Sequence, residues 1–83
     1  MVSGRVQGVY YRDTCRQMAH RLDVRGWIRN RADGRVELAV EGETEAVDAL
    51  IDWCRTGPSG AVVTELEVSD EDPVGDPSFR ITS

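Results

Sequence analysis

The chain has 83 residues, which makes one domain (1–83) with a single modest core. Its formal charge of −5 comes from 15 acids against 10 arginines, and an acidic total disfavours nucleic-acid binding, where a basic footprint is expected. No apolar run reaches the ~18 residues of a membrane span, and the start of the chain alternates and carries Arg5 rather than forming a signal peptide. A soluble cytoplasmic protein is expected.

The charge is unevenly placed. Residues 1–35 carry a net +5 and residues 36–83 a net −10. A positive half can draw a small anion towards it, although a short chain also separates charge by chance.

In chain order, residues 1–6 alternate as a first strand, with Val2, Gly4 and Val6 on one face. A turn follows at Gln7-Gly8-Val9. Tyr11, Cys15, Met18, Ala19 and Leu22 then form one stripe of a 3.6-residue period, which predicts a helix over 11–22. A strand turning tightly into a helix leaves unpaired N–H groups at the positive end of the helix dipole. Arg12 adds a planar guanidinium fork there. By spacing alone this turn reads equally as an anion cradle or as an ordinary βα turn with Gly8 at positive φ. It is neither a P-loop nor a dinucleotide fingerprint.

Residues 24–30 read as a second strand, with Val24, Ile28 and Asn30 on one face and Arg25, Trp27 and Arg29 on the other. Asp33-Gly34 is a hairpin signal. The third strand, Arg35 to Glu41, turns Val36, Leu38 and Val40 inward, as in a sheet covered on one side. Gly42 ends it. A second helix from Glu43 or Thr44 to Arg55 has Val47, Leu50, Ile51 and Cys54 as its stripe, and Gly57-Pro58 stops it. Val62 to Val68 is a fourth strand, Ser69 to Pro77 an acidic surface loop, and residues 78–82 a last strand.

The order β-α-β-β-α-β-β predicts an α+β fold. It is ferredoxin-like, βαββαβ with an extra C-terminal strand, and two helices cover one face of a five-stranded antiparallel sheet. In a βαβ crossover the two strands run parallel, so strands one and two end at the same edge of the sheet. That brings Asn30 towards the Gln7–Arg12 turn. Cys15 and Cys54 fall on buried stripes and read as buried thiols; no Cys or His spacing suggests a metal. His20 reads as a partly exposed helix residue.

There is no Ser-His or Cys-His pair near the turn, and the charge of Asp13 would repel a phosphate. A cradle of N–H donors, one permanent cation and one amide able to orient water can catalyse only an easy phosphoryl transfer, by positioning and charge stabilisation. A mixed carboxylic–phosphoric anhydride suits such a site, because its leaving carboxylate has a conjugate acid of pKa about 4 to 5 and needs no general acid.

Gly4-Arg5-Val6-Gln7-Gly8-Val9-Tyr10-Tyr11-Arg12, Gly26-Trp27-Ile28-Arg29-Asn30 and Asp33-Gly34-Arg35-Val36 closely resemble the acylphosphatase family, in order and over nearly the whole chain. The resemblance implies a small cytoplasmic, metal-free, cofactor-free enzyme, expected as a monomer, that hydrolyses small acyl phosphates to a carboxylate and phosphate. It implies that Arg12 binds the phosphate, that Asn30 holds the attacking water, and that the backbone of Gln7, Gly8, Val9, Tyr10 and Tyr11 forms the phosphate loop. It also implies that a phosphoryl oxygen of the substrate takes the water's proton. In the family's fold as the resemblance implies it, strand one is central and the last strand lies between strands one and two. Members carry several more residues ahead of strand one, so that strand is expected to be short here. A phosphate-binding module without turnover and a ferredoxin-like RNA binder are the competing readings. The second lacks the stacking aromatics expected on strands one and three.

Overall fold

The computed structural model describes residues 1–8, 10–67 and 74–82. Val9 of the expected phosphate loop, Val68 at the end of the expected fourth strand and residues 69–73 of the expected acidic loop lie outside the described residues.

The elements follow in the order β1 (Val2–Arg5), α1 (Tyr11–Leu22), β2 (Arg25–Asn30), β3 (Val36–Glu41), α2 (Thr44–Thr56), β4 (Val62–Leu66) and β5 (Phe79–Ile81). The bounds of α1 match the apolar stripe. Tyr11, Cys15 and Ala19 of that stripe are buried, and Met18 and Leu22 pack at its margin. Asp23 ends the helix in the left-handed conformation, with the Val24 N–H bonded back to the Ala19 carbonyl. In α2 Leu50 and Cys54 are buried, and Gly57 closes it by donating its N–H to the Trp53 carbonyl.

The strands form one sheet in the order β4-β1-β3-β2-β5. Both crossovers span one intervening strand, so β1 and β2 run parallel with β3 between them. Two expectations are corrected. The sheet is mixed, because β5 pairs parallel with β2, Gly26 opposite Phe79 and Ile28 opposite Ile81. The last strand therefore lies at an edge and not between strands one and two, a place that β3 holds by pairing with β2 along the whole hairpin. The hairpin turn is too short to let another strand in. β1 is second in the sheet. It pairs with β4 along its length, with a bulge between Ser3 and Gly4, but meets β3 only at Val2 opposite Val36.

The core lies between the sheet and the helices. Val2, Val6, Val24, Ile28, Val36 and Phe79 meet Tyr11, Cys15, Ala19, Leu50 and Cys54. Each fully buried large aliphatic side chain adds about 1.5–3 kcal/mol. The two cysteines are free thiols. They face one another across the helix pair, and the hydrogen bond to Cys54, then burial, pushes the Cys15 thiol well above the ordinary range. His20 is exposed on α1. The open face of the sheet carries Trp27, with the Arg29 guanidinium 5.5 Å above its ring, and Arg29 pairs with Glu37 at 2.6 Å. Glu41 is buried at the end of β3, where its carboxylate accepts the N–H groups of Gly75 and Asp76 at 3.3 and 2.6 Å. No helix among the described residues is long and apolar enough to cross a membrane.

Candidate active site

The site is built where β1 turns into α1. Val6 is buried and holds the end of the strand in the core. Gly8 follows with φ +76, and a Cβ built there would meet nothing within 4 Å. Its positive φ calls for glycine, while the space beside it is open. Tyr10 is the N-cap of α1 in the left-handed conformation (φ 60, ψ 24), and the residue is 82% exposed. A non-glycine residue in that region costs about 1–2 kcal/mol, and such strain gathers at functional sites.

The first intrahelical bond is donated by the Thr14 N–H to the Tyr10 carbonyl at 3.0 Å. The N–H groups of residues 11 to 13 thus have no intrahelical acceptor, and Tyr10 provides no side-chain cap. Arg12 stands in this first turn, half-buried. Asp13, expected to repel an anion here, is turned along the helix to Arg16 at 2.7 Å and Gln17 at 3.1 Å. Its charge is thereby offset by a cation one turn on.

Tyr11 fixes the helix start. Its hydroxyl donates to the Cys54 carbonyl at 2.8 Å, and its ring lies 5.3 Å from that of Trp53. That carbonyl is in the last turn of α2, where no helical N–H can reach it. A Cβ on Gly57 would come within 2.7 Å of the Tyr11 ring, so only glycine admits this approach. Burial, then the neighbouring Cys54 and Cys15 thiols, pushes the Tyr11 phenol far above the ordinary range.

Asn30 is the last residue of β2, opposite Val36, which is itself opposite Val2. Its side chain shares the helix-covered face of Val24 and Ile28. Its Oδ1 is buried with no protein partner, the one such side-chain atom among the described residues. Leaving a buried acceptor unmatched costs about 1–3 kcal/mol, so the atom is placed to receive a bond from a small donor. An open cleft of about 380 Å³ beside it is lined by Arg29, Asn30, Arg31, Ala32 and Asp33. The hairpin arginines are engaged with acids. Asp33 binds Arg35 at 2.7 Å and Arg31 at 3.2 Å, and these bonds hold its carboxyl well below the usual carboxylate range.

Of the expected site residues, Gln7, Gly8, Tyr10, Tyr11 and Arg12 line the passage from β1 to α1, and Asn30 lies at the end of a strand parallel to β1. The Gln7 side chain reaches across to the hairpin, with Nε2 2.8 Å from the Arg31 carbonyl and 3.1 Å from that of Arg35. Sequence reasoning used only its backbone. Tyr11 likewise looked like one apolar residue in a stripe, and its hydroxyl was the sole sign that it needed a partner. Among the described residues no group of three or more His, Cys, Asp or Glu side chains could hold a metal ion. Backbone N–H donors at a helix N-terminus and a guanidinium suit a phosphoryl group, and an unmatched amide oxygen suits a water.

The family model described as acylphosphatase matches residues 1–81. The chain is 52% identical over 80 residues to an acylphosphatase of Gloeobacter violaceus, covering 96% of this chain and 86% of that one. The crystal structure of acylphosphatase from Bacillus subtilis superposes with a TM-score of 0.94 at 34% identity, covering 99% of this chain and 92% of that one. The fold is also similar to part of full-length HypF, crystallised in a phosphate- and nucleotide-bound form. There the TM-score is 0.88 at 25% identity, over 99% of this chain but 11% of HypF.

Proposed function

The chain belongs to the acylphosphatase family, and from that premise we propose a route by which its residues hydrolyse an acyl phosphate. The phosphoryl group sits against the N–H groups of residues 7–11 and the Arg12 guanidinium. Asn30 Oδ1 accepts a bond from a water and turns its lone pair towards phosphorus. As the water oxygen bonds to phosphorus, the bond from phosphorus to the acyl oxygen breaks and the carboxylate departs with the electron pair. The water's proton passes to a phosphoryl oxygen, giving inorganic phosphate. The carboxylate needs no proton to leave, since its conjugate acid has a pKa of about 4 to 5. No step calls on a metal or a second substrate. On this reading the protein acts as a monomer in the cytoplasm on a small molecule and not on nucleic acid.

The observation that carries the proposal is the buried, unmatched Asn30 Oδ1 at the end of the strand parallel to β1. The test is the rate of benzoyl phosphate hydrolysis. Asn30→Ala is expected to lower kcat by about 10²–10³-fold with little change in inhibition by inorganic phosphate. Arg12→Ala is expected to weaken phosphate binding as well as kcat. An Asn30→Ala rate equal to wild type would refute the water-holding role.

The similarity to a portion of HypF favours a second reading, a module that binds phosphate without turnover. Saturable phosphate binding by calorimetry, with wild-type protein no faster than buffer on benzoyl phosphate, would select it.

A further inference from the structure

We infer that the Gln7 side chain is a positioning residue that locks the water-holding end of β2 to the phosphate loop; this rests on the catalytic reading above. The two halves of the site stand on strands that do not touch. β1 and β2 are separated by β3, and β1 meets β3 at a single pair, Val2 opposite Val36. Beyond that pair the chain runs on through residues 3 to 8 to the loop, while β2 and β3 run on into their turn. No ladder among the described residues joins these two extensions. Gln7 joins them.

Its Nε2 donates to the carbonyls of Arg31 and Arg35 at 2.8 and 3.1 Å. Those residues close the hairpin turn, since the Arg31 N–H donates to the Arg35 carbonyl at 2.8 Å. Arg31 is the residue after Asn30, and Gln7 is the residue before Gly8. One amide group thus ties the neighbour of the water site to the neighbour of the phosphate site. Both bonds are partly shielded from water, which strengthens them.

Chemistry makes the choice of residue specific. Two carbonyl oxygens need two donors from one atom, and a carboxamide supplies them. Glutamate has the same shape but sets an anion against two acceptors. Methionine keeps the length and donates nothing. The lock acts on geometry between the two halves and not on either alone. It therefore affects the step that needs both, the attack of water on bound phosphoryl, and a misplacement near 1 Å can cost about 10²-fold there.

The experiment compares wild type, Gln7→Met, Gln7→Glu and Asn30→Ala, with each position-7 change also made in the Asn30→Ala background. Benzoyl phosphate turnover, inhibition by inorganic phosphate and thermal melting are measured on each. The expected Gln7→Met result is a kcat lower by about 10–100-fold with phosphate inhibition within about twofold of wild type. In the Asn30→Ala background the same change should cost less than about twofold, because both act through one water. Gln7→Glu should regain kcat as pH falls through its carboxyl titration, since the protonated acid recovers one O–H donor; a role in packing alone has no such profile. Full multiplicative losses in the double variants would overturn the inference, as would phosphate inhibition weakened as much as kcat, or a Gln7→Glu profile parallel to wild type. The Asn30 side-chain amide resonance gives a readout independent of turnover, and it should move in Gln7→Met. An unmoved resonance overturns the lock. Wild-type protein no faster than buffer sinks the catalytic reading itself, and a moved resonance would then still support the lock as geometry.

Discussion

The position of Arg12 depends on the residue beside it. Tyr11 is pinned at its hydroxyl by the Cys54 carbonyl and at its ring by Trp53 and Gly57. The first turn of α1 cannot rotate without breaking those contacts. Replacing Tyr11 by phenylalanine leaves the Cys54 carbonyl unmatched in the core and is expected to cost about 1–2 kcal/mol by urea unfolding at pH 7. The same phenol governs the alkaline limb. The folded chain holds the Tyr11 proton more tightly than the unfolded chain does. That contribution is complete below the unfolded value of about 10 for a phenol and is lost as pH rises above it. The Cys15 and Cys54 thiols share one hydrogen bond that raises the first and lowers the second, so they oppose one another in this limb. Stability of the wild type should therefore fall as pH rises through about 10. Between pH 9 and 11 the fall should be less steep in Tyr11→Phe. Equal slopes in the two proteins would contradict the assignment.

Among the elements, the β2–β3 hairpin carries Asn30 and receives Gln7, so its turn matters to the site. Asp33 organises that turn. Its carboxylate accepts the Arg35 N–H at 3.0 Å and binds the Arg35 and Arg31 guanidiniums. These bonds lower the Asp33 carboxyl in the folded chain, and Arg29 does the same for Glu37. A lowered carboxyl contributes stability above the unfolded value of about 3.9 and loses it as pH falls through the folded one. The contribution is small because these charges are solvent-exposed. Asp33→Asn should melt slightly below wild type at pH 7, and the two should converge as pH drops towards 2. A gap that stays constant across that range would show that the charge is not involved. The hairpin itself was legible from Asp33-Gly34 between alternating runs, and α1 from its stripe, because both signals are local. The parallel pairing of β5 with β2 was not. A period of two reveals faces but does not name neighbours, and Phe79 to Ile81 would alternate equally well beside either β1 or β2.

On the scale of the whole molecule, the fold brings a loop near the start of the chain to a hairpin in its middle by two crossovers. That convergence followed from the element order, because parallel strands must end at one edge of the sheet. What it left out was the cross-link. Gln7 lies in the turn between strand and helix patterns, and only the three-dimensional placement of the Arg31 and Arg35 carbonyls gives its amide a purpose. The unmatched Asn30 oxygen was likewise invisible, since residue identity does not tell whether an acceptor is satisfied. The central claim is that this convergence aims a water at phosphorus and not at the acyl carbon. Hydrolysis of benzoyl phosphate in ¹⁸O-labelled water, followed by mass spectrometry of both products, tests it most directly. The account predicts the label in inorganic phosphate and none in benzoate; label in benzoate would contradict it.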